Sequence, residues 1–188
     1  MPIYFCRHGQ THWNQSGLIQ GQLDSRLTDK GKAQAYALAN KAKLINIQFI
    51  VCSDLGRAIE TATIVAKLIH CQFDTMLDIR ERHFGELQSL SRKERPQLWD
   101  EFDRKHSRDK LKIEGAETAS QVATRVVRAV KLIKQQYQHE NILVVGHGEW
   151  LRVLLNINNK LQPWSNLSHL PDNCEIIQIN DHAFLPAE

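Results

Sequence analysis

Three short apolar runs, Ile3-Tyr4-Phe5-Cys6, Phe49-Ile50-Val51-Cys52 and Ile142-Leu143-Val144-Val145, lack any alternation with polar positions. β-Prone residues in unbroken runs predict strands covered on both faces. Between them the apolar period becomes helical. Ala35, Leu38, Ala39 and Ala42 form one stripe behind Thr28, a residue suited to an N-cap, and Ala58, Ala62, Val65 and Ile69 form a second. Val122, Val126, Ala129, Val130 and Ile133 make a third stripe behind Thr118, and Trp150, Leu151, Leu154 and Leu155 follow the last strand. Strands alternating with helices predict a layered α/β fold. Residues 88–115 differ: they are charged, broken by Pro96, and carry Leu98, Trp99 and Phe102 at near-helical spacing, which predicts a small helical excursion from the sheet. No internal repeat, low-complexity tract or Pro/Gly/Ser linker divides the chain, so one domain over 1–188 is expected.

Composition narrows the setting. With 188 residues, 42% hydrophobic and 24% charged, the chain has the balance of an ordinary soluble globular protein. No apolar run approaches the roughly 18 residues needed to cross a bilayer, and the first residues lead straight into a strand-like stretch. A cytoplasmic protein with no membrane partner is expected. Cys6, Cys52, Cys71 and Cys174 form no closely spaced pair, which argues against a zinc site or a disulfide scaffold. The net charge of +3 is too small for nucleic acid binding, which needs a concentrated basic face. Its excess comes from 80–112, where ten bases face seven acids; salt-bridged surface helix and basic anion-attracting rim are the two readings of that stretch.

In an open α/β sheet, ligands bind beyond the carboxyl ends of the strands. Here the first strand runs into Arg7-His8-Gly9, the second into Ser53-Asp54-Leu55-Gly56-Arg57, and the third into Gly146-His147-Gly148. Two histidines and two arginines at one sheet edge suit a phosphoryl group, whose oxygens a guanidinium recognises in a planar, bidentate way. A neutral imidazole can attack phosphorus directly, while Arg7 and Arg57 would disfavour its protonation and neutralise the oxygens of a loose transition state. His8 is the better nucleophile candidate, because Gly9 lets backbone and substrate approach closely, and His147 between two glycines suits phosphate contact. The leaving alkoxide needs a proton, for which Glu81 is the candidate acid.

These residues also carry a resemblance. Ile3 to Thr11 with Trp13-Asn14, Gly21-Gln22-Leu23-Asp24 with Leu27-Thr28 and Gly31, and Cys52-Ser53-Asp54-Leu55 with Arg57-Ala58 and Thr61-Ala62 resemble motifs of the histidine phosphatase superfamily, the phosphoglycerate mutase-like proteins. Glu81-Arg82-His83-Phe84-Gly85, then Gly115-Ala116-Glu117-Thr118 and Val144-Val145-Gly146-His147-Gly148, continue the match in order. The resemblance implies a three-layer α/β/α sandwich around a mostly parallel sheet and a phosphohistidine intermediate on His8. It implies a phosphate pocket of Arg7, Arg57 and His147, with Gly148 beside it, and Glu81 as proton donor and then base for water. Asn14 would add a phosphate contact, Gln20 and Gly21 would contact a small phosphorylated substrate, and no metal or organic cofactor is implied.

Departures from the family pattern bear on the reaction. The phosphoglycerate mutases of the family carry a longer insertion rich in paired arginines, whereas no Arg-Arg pair lies between Gln88 and Gly115. Phe84 stands where those mutases have a tyrosine hydroxyl. An open, less basic site favours water as the phosphoryl acceptor, so hydrolysis is expected and a mutase is the alternative. Glu81-Arg82-His83 and Leu87-Gln88 look more mutase-like, and Ser89 replaces the glycine usual in the acid loop. A catalytically silent phospho-ligand-binding module on the same fold would be expected to have lost His8, His147 or the acid, all of which are present. Oligomeric state is open.

Other residues have plainer readings. Glu81 lies between Arg80 and Arg82, so a surface salt bridge is its non-catalytic explanation. Arg125, Arg128 and Lys131 are expected to project into solvent from the third long helix, and Trp99 and Trp164 to pack. His12, His70, His83, His106, His139, His169 and His182 share no ligand spacing and are expected to be ordinary histidines, with His83 the one candidate for the substrate pocket.

Overall fold

The computed structural model describes residues 2–91, 93–106, 109–110, 113–138, 141–167 and 169–179. Four strands, β1 (Ile3–Arg7), β2 (Phe49–Cys52), β3 (Gln72–Thr75) and β4 (Ile142–Gly146), are parallel, and a short β5 (Ile177–Gln178) runs antiparallel along β1. Their spatial order is β3-β2-β4-β1-β5. The helices are α1 (His12–Ser16), α2 (Asp29–Leu44), α3 (Gly56–Ile69), α4 (Pro96–His106), α5 (Ala119–Gln136) and α6 (Gly148–Asn158).

The unbroken apolar runs fill two cores. Ile3, Phe5, Val51, Ile142 and Val144 point to one face, where Val122, Val126, Ala129, Val130 and Ile133 of α5 and Trp150, Leu151 and Leu154 of α6 cover them. Cys6, Ile50, Cys52, Leu143 and Val145 point to the other, under Ala35, Leu38, Ala39 and Ala42 of α2 and Ala58, Ala62 and Val65 of α3. Side chains alternate across a strand, so a helix layer on each face demands apolar residues at every position. Thr28 caps α2 by accepting from Gly31 N, and Thr118 caps α5 in a capping box with Gln121.

The 88–115 excursion is only partly helical. Helix α4 sits in it, while a 3-10 turn at Gly85–Leu87 precedes it, and Phe84, Leu87, Phe102 and Ile113 bury a third, smaller core against Ile19, Leu98 and Trp99. Its charged surroundings follow the salt-bridged reading where they are described: Arg80 pairs with Asp54, and Lys105 with Glu101. Arg92, Arg108 and Lys112 lie outside the described residues. The four cysteines are free thiols, and no helix among the described residues is long and apolar enough to cross a membrane.

Register brings the strand ends level. Arg7 pairs with Gly146 and Cys52 with Val145, so the residues that follow, His8, His147 and Ser53, emerge along one edge. The start of α2 is packed directly on the backbone after His8: a Cβ on Gly9 would lie 2.5 Å from Gly31 O, and one on Gly31 would lie 2.0 Å from Gln10 O. Backbone cannot yield there as a flexible side chain would. Gly31→Ala is expected to cost about 1–3 kcal/mol by overpacking, seen as a lowered Tm in a thermal melt, and to lower kcat as well, because the strain is delivered to Gly9; an unchanged Tm would show that the contact is not tight.

Candidate active site

Every polar backbone atom around His8 is held. His8 N donates to Gly146 O at 3.0 Å and Cys174 N to Arg7 O at 2.9 Å. Asn173 Nδ2 donates to His8 O at 2.7 Å, and Gly9 N donates to Thr61 Oγ1 at 3.0 Å. The ring is fixed too: Nδ1 lies 2.7 Å from Gly9 O. A carbonyl only accepts, so Nδ1 carries the proton and Nε2 presents its lone pair.

Arg57, 1% exposed, stands on the first turn of α3 and faces that lone pair. Its Nε donates to His8 Nε2 at 3.2 Å, Nη1 to Leu23 O and Asp24 Oδ1, and Nη2 to Gly21 O. His147 is the N-cap residue of α6, fully buried, with its ring centroid 5.2 Å from that of His8. Burial first, and then the charges of Arg57 and Arg7, push the His8 imidazole well below the ordinary histidine range. For His147 burial again leads, followed by Arg57, His8 and Arg7. Both rings are therefore neutral near pH 7.

Several buried polar atoms here have no partner among the described residues: Arg7 Nε, both ring nitrogens of His147, and Gln20 Oε1. Native interiors seldom leave such groups unpaired, and when they cluster around a cavity they mark where a ligand's polar atoms belong. The cavity measures about 230 Å³ and is lined by Arg7, His8, Arg57, Glu81, Asn14, Gln20, Gly21 and Gly148, with Leu18, Ile19, Phe84 and Leu170 among the rest. Every sequence-predicted site residue except His147 lines this cavity, and the His147 ring lies beside that of His8, tilted by 57°. Asn14 Oδ1 accepts from Thr11 N in the α1 capping box, so what it offers a ligand is its amide N–H groups. Among the described residues no group of three or more His, Cys, Asp or Glu side chains is placed to hold a metal ion.

Glu81, 8% exposed, is not part of a surface salt bridge. Its Oε2 accepts from Glu149 N at 3.2 Å, and its Oε1 accepts from Trp150 N at 3.1 Å and Arg82 N at 2.9 Å. The carboxylate thus caps the first turn of α6, where the helix dipole favours negative charge. Its basic neighbours in sequence pair elsewhere, Arg80 with Asp54 and Arg82 with Glu149. Both guanidiniums are thus engaged away from the Glu81 carboxylate.

Two expectations need correction. Arg125 does not project into solvent: it donates to the carbonyls of Asp78, Arg80 and Glu81 and makes a two-point contact with Glu117, because the segment carrying Glu81 crosses the start of α5. Arg128 is exposed but ion-paired with Asp78, while Lys131 is solvated as expected. His83 does not line the cavity; its Nδ1 accepts from Gly85 N and its Nε2 lies 3.3 Å from Gln88 Nε2. His12, His70 and His169 are exposed, whereas His139, His182 and the His106 side chain lie outside the described residues.

Sequence reasoning missed Asn173, Thr61 as a ligand of Gly9, and Gln88. Thr61 lies four residues after Arg57, one helical turn along the same face, and that spacing was a usable signal. Asn173 sits in a loop without periodicity and gave none. Gln88 Oε1 accepts from Gln22 N at 2.8 Å and would lie 2.1 Å from a Cβ on Gly21, whose φ is +52°. Glycine at 21 serves both the left-handed backbone and the close approach of Gln88. Ser89 adopts φ +68°, the backbone conformation for which glycine is favoured, and its N–H donates to Ile19 O at 2.8 Å.

The depressed histidines predict a pH dependence of stability. The unfolded chain takes up protons on His8 and His147 below about pH 6.5 that the folded chain refuses, so stability is present above that pH and is lost as pH falls through it. Tm measured from pH 7.5 to 5 is expected to drop more steeply for the wild type than for His147→Asn; parallel curves would show that burial of these imidazoles does not govern the acid limb.

The comparisons with known proteins agree with this geometry. The family model of the histidine phosphatase superfamily (branch 1) matches residues 3–183. A metal-independent phosphoserine phosphatase of Arabidopsis thaliana is 37% identical over 159 residues, 81% of this chain and 66% of that protein, so the chain spans about two thirds of its length. A probable phosphoglycerate mutase GpmB of Salmonella typhi is 32% identical over 183 residues, covering 96% of this chain and 85% of that protein. Among solved structures, a mycobacterial glucosyl-3-phosphoglycerate phosphatase in complex with VO3 superposes with a TM-score of 0.85 at 26% identity, over 96% of this chain and 91% of that one. With the motifs of the strand ends, the α/β architecture and a family match over nearly the whole length, this chain belongs to the histidine phosphatase superfamily.

Proposed function

We propose that the chain hydrolyses phosphomonoesters of small metabolites, without a metal, through a phosphohistidine on His8. The observation that carries this reading is a buried neutral His8 whose Nε2 lone pair faces the Arg57 Nε–H, beside the unpartnered Arg7 Nε and His147 ring nitrogens. In the first step Nε2 attacks phosphorus and the ester P–O bond breaks. Glu81, at the cavity wall, gives the departing oxygen its proton. Arg7, Arg57 and the His147 ring hold the three phosphoryl oxygens, and Nδ1–H stays on Gly9 O, so the ring that gains positive charge is already oriented. In the second step the Glu81 carboxylate takes a proton from water, the oxygen attacks phosphorus, the N–P bond breaks, and inorganic phosphate leaves.

The mutase relatives raise the alternative of phosphoryl transfer. Transfer requires holding a bisphosphate, hence a second anionic group. Among the described residues the cavity lining contains no lysine or arginine beyond Arg7 and Arg57, and its outer wall includes Leu18, Ile19, Phe84 and Leu170. Glu149, also at the wall, is paired with Arg82 and Arg152. That wall supports hydrolysis of a monoester whose alcohol portion carries no second phosphate. Phe84 brings no hydroxyl to it.

Phosphorus NMR of the purified protein with a panel of phosphomonoesters, 3-phosphoglycerate among them, in the presence of chelator, tests the reading. Inorganic phosphate is expected with wild type and to fall by at least about 10³-fold in His8→Ala; 2-phosphoglycerate formed without released phosphate would overturn it in favour of a mutase. Glu81→Gln is expected to lower kcat/KM by about 10²–10⁴-fold for alkyl phosphates and far less for an activated aryl phosphate, whose leaving group needs no proton. Equal losses on both would remove Glu81 from the acid role.

A further inference from the structure

Glu81 reaches the cavity from a segment with no regular secondary structure. Residues 80–84, between the 3-10 turns at Leu77–Ile79 and Gly85–Leu87, make no strand pairing apart from an isolated bridge from Phe84 to Ala116. A carboxyl that must give and take a proton within hydrogen-bond reach needs better support than a free loop supplies.

Gln22 Nε2 donates to Glu81 O at 3.1 Å and Trp150 Nε1 to Asp78 O at 2.8 Å, but the side chain that reaches most of the segment stands on α5. Arg125 Nη1 donates to Asp78 O at 3.2 Å and to Arg80 O, and Nη2 donates to Glu81 O at 3.0 Å. Its Nε and Nη2 reach the two oxygens of Glu117, each at 2.9 Å. A guanidinium has five N–H groups, and all five are used. Glu117 completes the clamp from the other side. Its Oε2 accepts from His83 N at 2.8 Å, its backbone N donates to His83 O at 2.8 Å, and its carbonyl accepts from Arg82 Nε at 2.7 Å. The clamp therefore grips residues 78, 80, 81, 82 and 83, on both sides of the Glu81 side chain and at its own carbonyl, while neither Arg125 nor Glu117 itself lines the cavity.

We propose that Arg125, seated on Glu117, is a positioning residue that sets the placement of the Glu81 carboxyl against the α6 N-terminus and the cavity. It acts through the backbone of 78–83, and only a planar five-donor fork can serve that many acceptors at once. A lysine at 125 would keep the charge and lose the geometry. The proposal rests on the acid role of Glu81 given above.

The test is the ratio of kcat/KM for an alkyl phosphate to that for an aryl phosphate, a quantity that reports only the steps up to release of the alcohol. Arg125→Met and Arg125→Lys are both expected to lower kcat/KM for the alkyl ester by about 10–100-fold, since displacing a catalytic group by about 1 Å costs on the order of 10²-fold. The aryl ester should change by less than about threefold, because its leaving group needs no acid. The double variant Glu81→Gln/Arg125→Met should be no slower on the alkyl ester than Glu81→Gln alone. If Arg125→Met does not fold, Glu117→Gln, which weakens the seat of the guanidinium, is expected to give the same leaving-group selectivity in smaller degree. Equal losses on both esters, or additive losses in the double variant, would reduce Arg125 to a general structural residue and overturn the proposal; so would wild-type behaviour of Arg125→Lys. Selective loss in Glu81→Gln without selective loss at 125 refutes the positioning role alone, whereas equal losses on both esters in Glu81→Gln itself refute the acid role and, with it, this one.

Discussion

Arg57 is the charge on which the site depends. It is almost wholly buried, and a buried guanidinium is tolerated only where its N–H groups find acceptors. It finds them in Gly21 O, Leu23 O, Asp24 and the lone pair of His8. Because these acceptors belong to the loop after β1 and to the residue ending that strand, satisfying one side chain of α3 also closes the cavity wall and aims the imidazole. Asp24 in turn accepts from the Gly56 and Arg57 amides at the start of α3, so the loop is tied to the helix at two levels.

The consequence is an excess of positive potential at the strand ends. Arg7 and Arg57 face two rings that cannot share the charge, since burial and the guanidiniums themselves keep both histidines unprotonated. A phosphoryl group would suit that excess, since it brings negative charge and oxygens for the open donors. Glu81 offsets part of that charge, since its field is felt at both arginines. Its oxygens are held by the first-turn amides of α6, which keeps the carboxyl at the cavity wall.

What could be read from the sequence was whatever depends on local pattern. Runs such as Ile142 to Val145 declared two covered faces, Thr28 and Thr118 declared helix starts, and His8 and His147 followed strand ends, where an α/β sheet places its ligands. What could not be read depends on contacts between segments far apart in the chain. Arg125 looked like any charged residue on the outer stripe of an amphipathic helix, because nothing in its own neighbourhood says that residues 78–83 will cross there. Asn173 binds His8 O from 165 residues away, in a stretch with no period at all. Glu81 gave an ambiguous signal for the opposite reason: Arg80 and Arg82 offered a local salt bridge, and only their pairing with the distant Asp54 and Glu149 dismisses it.

The phosphate side and the outer wall of the cavity are built by different means. The donors at the floor stand on strand ends and helix first turns, tied by backbone register to the centre of the sheet. Most of the wall, Leu170 and Glu149 apart, belongs to two loops joined to each other: Ile19 N donates to Leu90 O, Ser89 N to Ile19 O, and Gln88 reaches Gly21 and Gln22. Leu18, Ile19 and Phe84, carried by these loops, can change without disturbing any hydrogen bond of the floor, whereas no floor residue can change alone. The loop pair from 18–21 and 84–90 meets where the Ser89 backbone is left-handed, so its apolar side chains can vary while the strand ends keep their register.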